Sequence, residues 1–265
     1  MGIVNVTPDS FSRDGCLNNA DGPKAALLLS QKHIRNGADI IDIGGESTRP
    51  GARRISAKEE ISRVIPAIQA LAKKTSVPIS IDTYKPMVAQ AALDAGASVV
   101  NNIMGTDPNN DLLKMIEKYN AAVVLMHIRG TPRTMQRNIH YKDLIGEIIG
   151  SLAKSIEKCL EIGIKSDKIM LDPGIGFGKT VEHNLEILNR LSDFEILKHP
   201  LLIGTSRKSF IGKVLDKEAG NRLMGTAATV TASIVHGVHI VRVHDVKAMK
   251  ETISMTDAIM NGHAN

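Results

Sequence analysis

Ile169-Met170-Leu171-Asp172-Pro173-Gly174-Ile175-Gly176-Phe177-Gly178 is an apolar run that ends on a carboxylate and then breaks into alternating glycines. A short apolar run closed by Pro and Gly reads as a buried strand whose polar end opens into a functional loop. The tail Gly178-Lys179-Thr180 looks like the end of a Walker phosphate loop, but that motif needs a glycine where Pro173 stands. The glycines also miss the dinucleotide fingerprint, because their last spacing is one residue short. Asp172 is therefore expected to face a ligand at the top of the strand. The plain alternative is a strand-to-helix turn with a capping Asp.

Outward from this stretch the same design recurs. Gly2–Val6, Asp39–Ile43, Pro78–Asp82, Ala97–Asn101 and Ala121–Met126 precede it as strands, and Pro200–Gly204 and His239–Val243 follow. Between them lie helical patterns. Ser56-Ala57-Lys58-Glu59 has the form of a capping box before Ile61, Val64, Ile65, Ile68 and Leu71, and Ile145, Ile148, Ile149, Leu152, Ile156 and Leu160 form one face that ends near Gly163. Eight strands alternating with eight helical segments predict an α/β fold of the (β/α)8 TIM-barrel type, because helical crossovers force neighbouring strands to run parallel. The 265 residues match the ~250 typical of such a barrel. No composition break divides the chain, so residues 1–265 are expected to form a single domain. The first strand begins at the second residue, so either the chain is truncated or the plug at the barrel bottom is absent.

No apolar run reaches the ~18 residues that span a bilayer, and the N-terminus lacks a basic region and a cleavage-like site. A cytoplasmic protein without membrane partners is expected. Cys16 and Cys159 are too few for a disulfide framework and are read as reduced thiols. The net charge of +5 would allow nucleic-acid binding, but with 3% aromatics, no Trp and dispersed basic residues the charge suits a small anionic substrate better.

A barrel of this kind gathers its active site at the C-terminal ends of its strands. Those ends read Asn5, Asp42, Asp82, Asn101, His127, Asp172, Ser206, and then Arg242 with His244. Each strand brings a polar group to one rim, which implies a polar ligand. Asp82, Asn101 and Asp172 offer acceptors suited to paired N–H donors on a flat heterocycle. The cationic side follows strands seven and eight, where Gly204-Thr205-Ser206-Arg207-Lys208-Ser209 runs into a helix N-terminus able to hold an anion. A metal site of His127 and His244 has no supporting spacing.

Six segments carry a resemblance. They are Gly2–Ser12 (GIVNVTPDSFS), Asp42–Gly51 (DIGGESTRPG), Ser80–Thr83 (SIDT), Asp172–Gly178 (DPGIGFG), Thr205–Phe210 (TSRKSF) and Arg242–Asp245 (RVHD). Together, and in this order, they resemble the dihydropteroate synthases of bacterial folate synthesis. The Ser-Thr-Arg-Pro-Gly and Ser-Arg-Lys-Ser segments separate the chain from the pterin-binding methyl-transfer domains that use a similar barrel.

The resemblance implies condensation of 6-hydroxymethyl-7,8-dihydropterin pyrophosphate with p-aminobenzoate, through C–O cleavage to a pterin cation that the arylamine traps. By the same resemblance Asp82, Asn101, Asp172 and Lys208 hold the pterin, Arg242 stacks on its face, and Met126 and Ile103 wall it. Asn5 ligates the Mg²⁺ that accompanies the pyrophosphate, and Arg49, Arg242 and His244 meet its oxygens. Phe11, Thr48, Pro50, Phe177 and Ser209 form the p-aminobenzoate pocket. A homodimer is implied too, through apolar residues such as Val230, Ile234 and Val235. Two positions depart from the family pattern. Arg13 interrupts the first loop, and Asn102 follows Asn101 where the family has Asp, which predicts weaker electrostatics beside the pterin.

Overall fold

The computed structural model describes residues 1–7, 22–47 and 52–263. Eight strands are present: β1 (Gly2–Asn5), β2 (Ile41–Gly44), β3 (Ile79–Asp82), β4 (Val99–Asn102), β5 (Ala122–Met126), β6 (Ile169–Asp172), β7 (Leu202–Ile203) and β8 (Ile240–Val241). Strands β1 to β6 form one parallel sheet in sequence order, and β7 and β8 pair in parallel beside it. Two single bridges, Leu171 with Leu201 and Gly2 with Val243, join the two pieces at both seams and close the barrel. Backbone bonds support each seam: Leu171 N–H donates to the Pro200 carbonyl (2.9 Å) and Ile3 N–H to the Val243 carbonyl (3.0 Å).

The helices are α1 (Gly22–Arg35), α2 (Ala57–Ala72), α3 (Pro86–Asp94), α4 (Asn110–Lys118), α5 (Leu144–Ile162), α6 (Val181–Asn189), α7 (Ser209–Leu215), α8 (Leu223–Val235) and α9 (Val246–Asn261). The sequence pattern gives one helix between β7 and β8, whereas the structure has two. Asp216 turns left-handed at φ +50° and ends α7 after seven residues, and α8 then makes the barrel crossover. Caps set several boundaries. Ser56 Oγ accepts the Glu59 N–H as expected, but the Glu59 carboxylate turns to Arg53 and Arg63, so only half of that box forms. The complete box is Thr180 with His183, which the Glu/Gln form of the motif does not reveal. Asp143 caps α5, and Gly163 closes it at φ +102°.

A large core packs the helices against the outside of the barrel, with Ile41, Ile43, Ile68, Leu71, Leu125, Ile148 and Leu152 almost wholly buried. A smaller, separate cluster of Met1, Val99, Val124 and Leu202 has Ile40, Ala122, Met170 and Ile240 packed against it. Cys159 is buried on α5, while Cys16 lies outside the described residues. The dimer expectation needs correcting in its residues. Val230 is fully buried in the chain's own core and Ile234 is half-buried against it, which leaves Val235 alone of the three exposed. No described helix is long and apolar enough to cross a membrane.

Candidate active site

Parallel register puts Asn5, Gly44, Asp82 and Asn101 in one row across four adjacent strands. Directly paired residues face the same side of a sheet, so the two amides and the carboxylate share one surface of the barrel. Asp42 belongs to the same surface one layer lower, two residues before Gly44. It is completely buried. Its Oδ2 accepts from Asn101 Nδ2 (3.1 Å) and from Arg242 Nε (2.6 Å), and Arg242 Nη2 reaches Asp82 Oδ2 at 2.8 Å. Burial would lower the Arg242 guanidinium, but Asp42 and Asp82 overcome it and hold it charged. Burial pushes the Asp82 carboxyl up, and Arg242 opposes that shift.

Across the barrel the Asp172–Gly178 loop is shaped by its glycines. Gly174, Gly176 and Gly178 all have positive φ, between +68° and +81°. A Cβ on Gly174 would lie 1.8 Å from the His127 carbonyl oxygen, so only glycine fits there. The Gly174 N–H donates to Asp172 Oδ1 at 2.6 Å, fixing the carboxylate while its other oxygen stays available. Burial raises the Asp172 carboxyl, and the Lys208 cation is the largest opposing influence.

Lys208 approaches this loop from the end of β7. Its Nζ donates to the Ile175 carbonyl and lies 4.7 Å from the centre of the Phe177 ring. Burial lowers its ammonium to about 8, against the pull of Asp172. Two contacts brace the turn that carries it. Arg207, left-handed at φ +59°, makes a two-pronged ion pair with Asp245 at 2.9 and 2.5 Å. Ser206 Oγ accepts the His244 N–H (3.1 Å) and lies 3.0 Å from His244 Nδ1. Burial and the neighbouring Arg207 and Arg242 push the His244 imidazole down to about 3, so the ring is neutral.

Ile103, Met126, Ile128 and Met135 pack as one apolar cluster, with Phe177 and Tyr84 at its margin. The structure thus brings Asp82, Asn101 and Arg242 together in one linked group, and Asp172, Lys208 and Phe177 in another. Ile103 and Met126 form an apolar wall. Asn5 stands at the end of β1, and Ser209 is exposed as the first residue of α7. Phe11, Thr48, Arg49 and Pro50 lie outside the described residues, as does Arg13. Asn102 does not weaken the pterin side as the sequence suggests. Its neighbour Asn101 faces the row, so Asn102 points the other way, and its Oδ1 accepts the Met104 N–H at 3.0 Å. Of the two rim histidines, His127 Nδ1 lies 2.9 Å from Lys179 Nζ and His244 Nδ1 lies 3.0 Å from Ser206 Oγ. No group of three or more potential metal-ligating side chains occurs among the described residues.

The strand ends put Asp42 on the rim but do not reveal that it anchors Arg242. Asp245 and Lys179 lie beyond the strand ends, and their signal in the chain is adjacency to Arg242-Val243-His244 and to the glycine loop. Outside the carboxylate row, a cavity of about 310 Å³ is lined by Arg54, Thr131, Arg133, Thr134 and Arg137. Its three guanidiniums give the mouth a cationic character that suits an anionic substrate.

Comparison with known proteins agrees with this geometry. The model of the pterin-binding enzyme family matches residues 1–244. Dihydropteroate synthase of Bacillus subtilis is 47% identical over 261 residues, covering 98% of this chain and 88% of that protein. The Yersinia pestis dihydropteroate synthase, solved with a sulfonamide drug complex, superposes with a TM-score of 0.92 at 41% identity, over 98% of this chain and 94% of that one. The Xanthomonas albilineans dihydropteroate synthase with 4-aminobenzoic acid gives a TM-score of 0.91 at 37% identity, over 98% and 92%. This chain belongs to the dihydropteroate synthase family, the transferases of folate synthesis that join 6-hydroxymethyl-7,8-dihydropterin pyrophosphate to p-aminobenzoate with release of pyrophosphate.

Proposed function

We propose that the reaction is carried by two linked groups on the barrel rim, and the observation that carries this reading is that one glycine loop holds both Asp172, through the Gly174 N–H, and Lys208, through the Ile175 carbonyl. Asp172, held by the Gly174 N–H, accepts from the amino group and adjacent ring N–H of the pterin. Asn101 and Asp82 complete its polar edge, and Ile103 and Met126 line its flat face. Arg242 is held by Asp42 and Asp82 with its guanidinium fixed at the rim, where it meets the pterin face and the pyrophosphate oxygens. His244 adds a neutral donor, because a Ser206 hydroxyl donating to Nδ1 leaves Nε2–H for a phosphate oxygen. Phe177 and Ser209 belong to the p-aminobenzoate side together with Phe11, Thr48 and Pro50, and Arg49 to the pyrophosphate. The Xanthomonas relative solved with 4-aminobenzoic acid supports this side.

The C–O bond between the pterin methylene and pyrophosphate breaks with its electron pair leaving on pyrophosphate, and the arylamine nitrogen then bonds to that carbon and gives up one of its N–H protons to the released pyrophosphate or water. The chain's contribution is positioning and charge stabilisation, not strong base catalysis. The residues also fit a magnesium ion. A Cβ at Gly44 would lie 3.6 Å from Asp82 Oδ2 and 3.7 Å from Asn5 Oδ1, so the glycine keeps open a space flanked by two hard oxygens. Asn5 would hold the ion, with Asp82 beside it; two protein oxygens plus phosphate oxygens and water are the usual surroundings of Mg²⁺. Bound there, it would neutralise charge on the pyrophosphate.

The same reading takes the chain as a homodimer. It is supported by exposed Met224 on α8 and by Met255, Ile259 and Met260 on α9, which packs against α8. The reaction is tested by a pyrophosphate-release assay with each substrate omitted in turn. Release only when both are present supports it, and release without p-aminobenzoate would refute coupled condensation.

A further inference from the structure

Behind the Asp172–Gly178 loop lies a buried lysine with no part in the reaction described above. Lys179 is only 3% exposed. Its Nζ lies 2.9 Å from His127 Nδ1 and donates to the Phe177 carbonyl at 3.0 Å. A Cβ on Gly174 would come within 3.4 Å of that Nζ, so the ammonium lies under the turn that presents Asp172. The His127 N–H in turn donates to the Asp172 carbonyl at 2.8 Å. Lys179 therefore ties the end of β5 to the loop after β6, the same loop that Lys208 contacts at Ile175 and the Phe177 ring. A lysine costs several kcal/mol to bury unless it serves a charge, and the nearest carboxylate acting on it is Asp172.

We infer that Lys179 is a positioning residue for pterin recognition, holding the glycine loop through His127 and Phe177 and keeping the Asp172 carboxylate ionised from behind. Its hydrogen bonds dictate the tautomer: a charged Lys179 donates to Nδ1, so His127 is neutral with its proton on Nε2. Burial and the Lys179 charge both drive His127 far below the usual imidazole range, consistent with that state. Burial also lowers Lys179 to about 7, so its charge is present below neutrality and fades above it. Asp172 on β6 and Lys208 after β7 act on it directly, and its partners are flanked by Arg129 and Tyr141 beside His127 and by Arg242 just after β8 beside Asp172. Of these only Asp172 is negative.

The inference rests on the pterin reading of Asp172, so Asp172→Asn serves as the control. Pterin affinity is measured by calorimetry at about pH 6 and about pH 8.5 in the wild type, Lys179→Met, Lys179→Arg and Lys179→Gln. If Lys179 holds Asp172 ionised, Lys179→Met and Lys179→Gln bind pterin more weakly than the wild type at the lower pH, by up to about tenfold for a required carboxylate that titrates one unit higher. At the higher pH the wild-type lysine is itself neutral, so the loss shrinks to about twofold or less. Lys179→Arg, which keeps the charge, restores affinity at the lower pH. Equal losses at both pH values, or no rescue by arginine, would overturn the inference. Lys179→Gln carries the test if Lys179→Met does not fold. If the wild type fails to bind pterin, or Asp172→Asn binds it as well as the wild type, the pterin reading itself fails instead.

Discussion

Arg242 Nε donates to Asp42 Oδ2 across 2.6 Å, joining the eighth strand to the second over the first strand that lies between them. Asp42 is wholly buried, and that guanidinium is the cation it faces. Removing one partner of a buried ion pair strands the other, and Arg242→Ala is expected to lose about 3–5 kcal/mol of stability. Urea unfolding of the variant measures it. Arg242→Lys should recover only part of the loss, since a single ammonium cannot reach Asp42 and Asp82 with the fork of a guanidinium. A loss under about 1 kcal/mol for Arg242→Ala would mean the pair contributes no more than a surface one.

Lys208 is expected to set the alkaline limit of activity. Burial brings its ammonium down to about 8, and its role needs the charged form, which is present below that value and lost above it. The kcat/KM profile for the pterin substrate should therefore fall on its basic side near pH 8. Lys208→Arg should move that limb upward, because arginine does not titrate in this range. Lys208→Ala should cost roughly 2–4 kcal/mol in kcat/KM at neutral pH, as for removal of one charged donor from a closed site. A profile that does not change in Lys208→Arg would assign the limb to another group.

Chelation is the test of the Asn5 and Asp82 oxygens. Activity should fall in excess chelator and return with added Mg²⁺, and Asn5→Ala should raise the Mg²⁺ concentration needed for half-maximal rate about tenfold, as for losing one ligand or its supporting shell. Full turnover in chelator would remove the metal from the account.

The proposed dimer uses the exposed side chains of α8 and α9. Light scattering at micromolar concentration should give two chains per particle. Met224→Glu together with Ile259→Glu should give one, since a charge buried in such a contact is unpaired. A monomeric wild type would contradict the dimer.

Much of this architecture was written in the pattern of the chain. The alternation of apolar strands with helical stripes is enough to specify a barrel, and the strand ends are enough to find Asp82, Asn101, Asp172 and Arg242. What the pattern hid depends on three dimensions. Whether Asp42 serves the ligand or Arg242 depends on a partner 200 residues away. The side that Asn102 faces follows from strand pleating and a turn bond to Met104, not from its place beside Asn101. Lys179 has the sequence context of a phosphate-binding lysine, and only the fold of the glycine loop turns it inward to His127. The second helix between β7 and β8 was missed because Asp216 breaks the chain with a left-handed turn that no glycine or proline announces.

In the proposed reaction Asp172 recognises the pterin while a separate group holds the anion. Asp172→Asn replaces one acceptor by a donor facing a donor, at a cost of roughly 1–3 kcal/mol or more. Arg242 and His244 are unaltered by that change. Calorimetry with the pterin and with pyrophosphate, each in the presence of Mg²⁺, should show pterin affinity reduced at least about tenfold and pyrophosphate affinity kept within a few-fold. Equal losses for both ligands would mean that Asp172 only holds the barrel rim together.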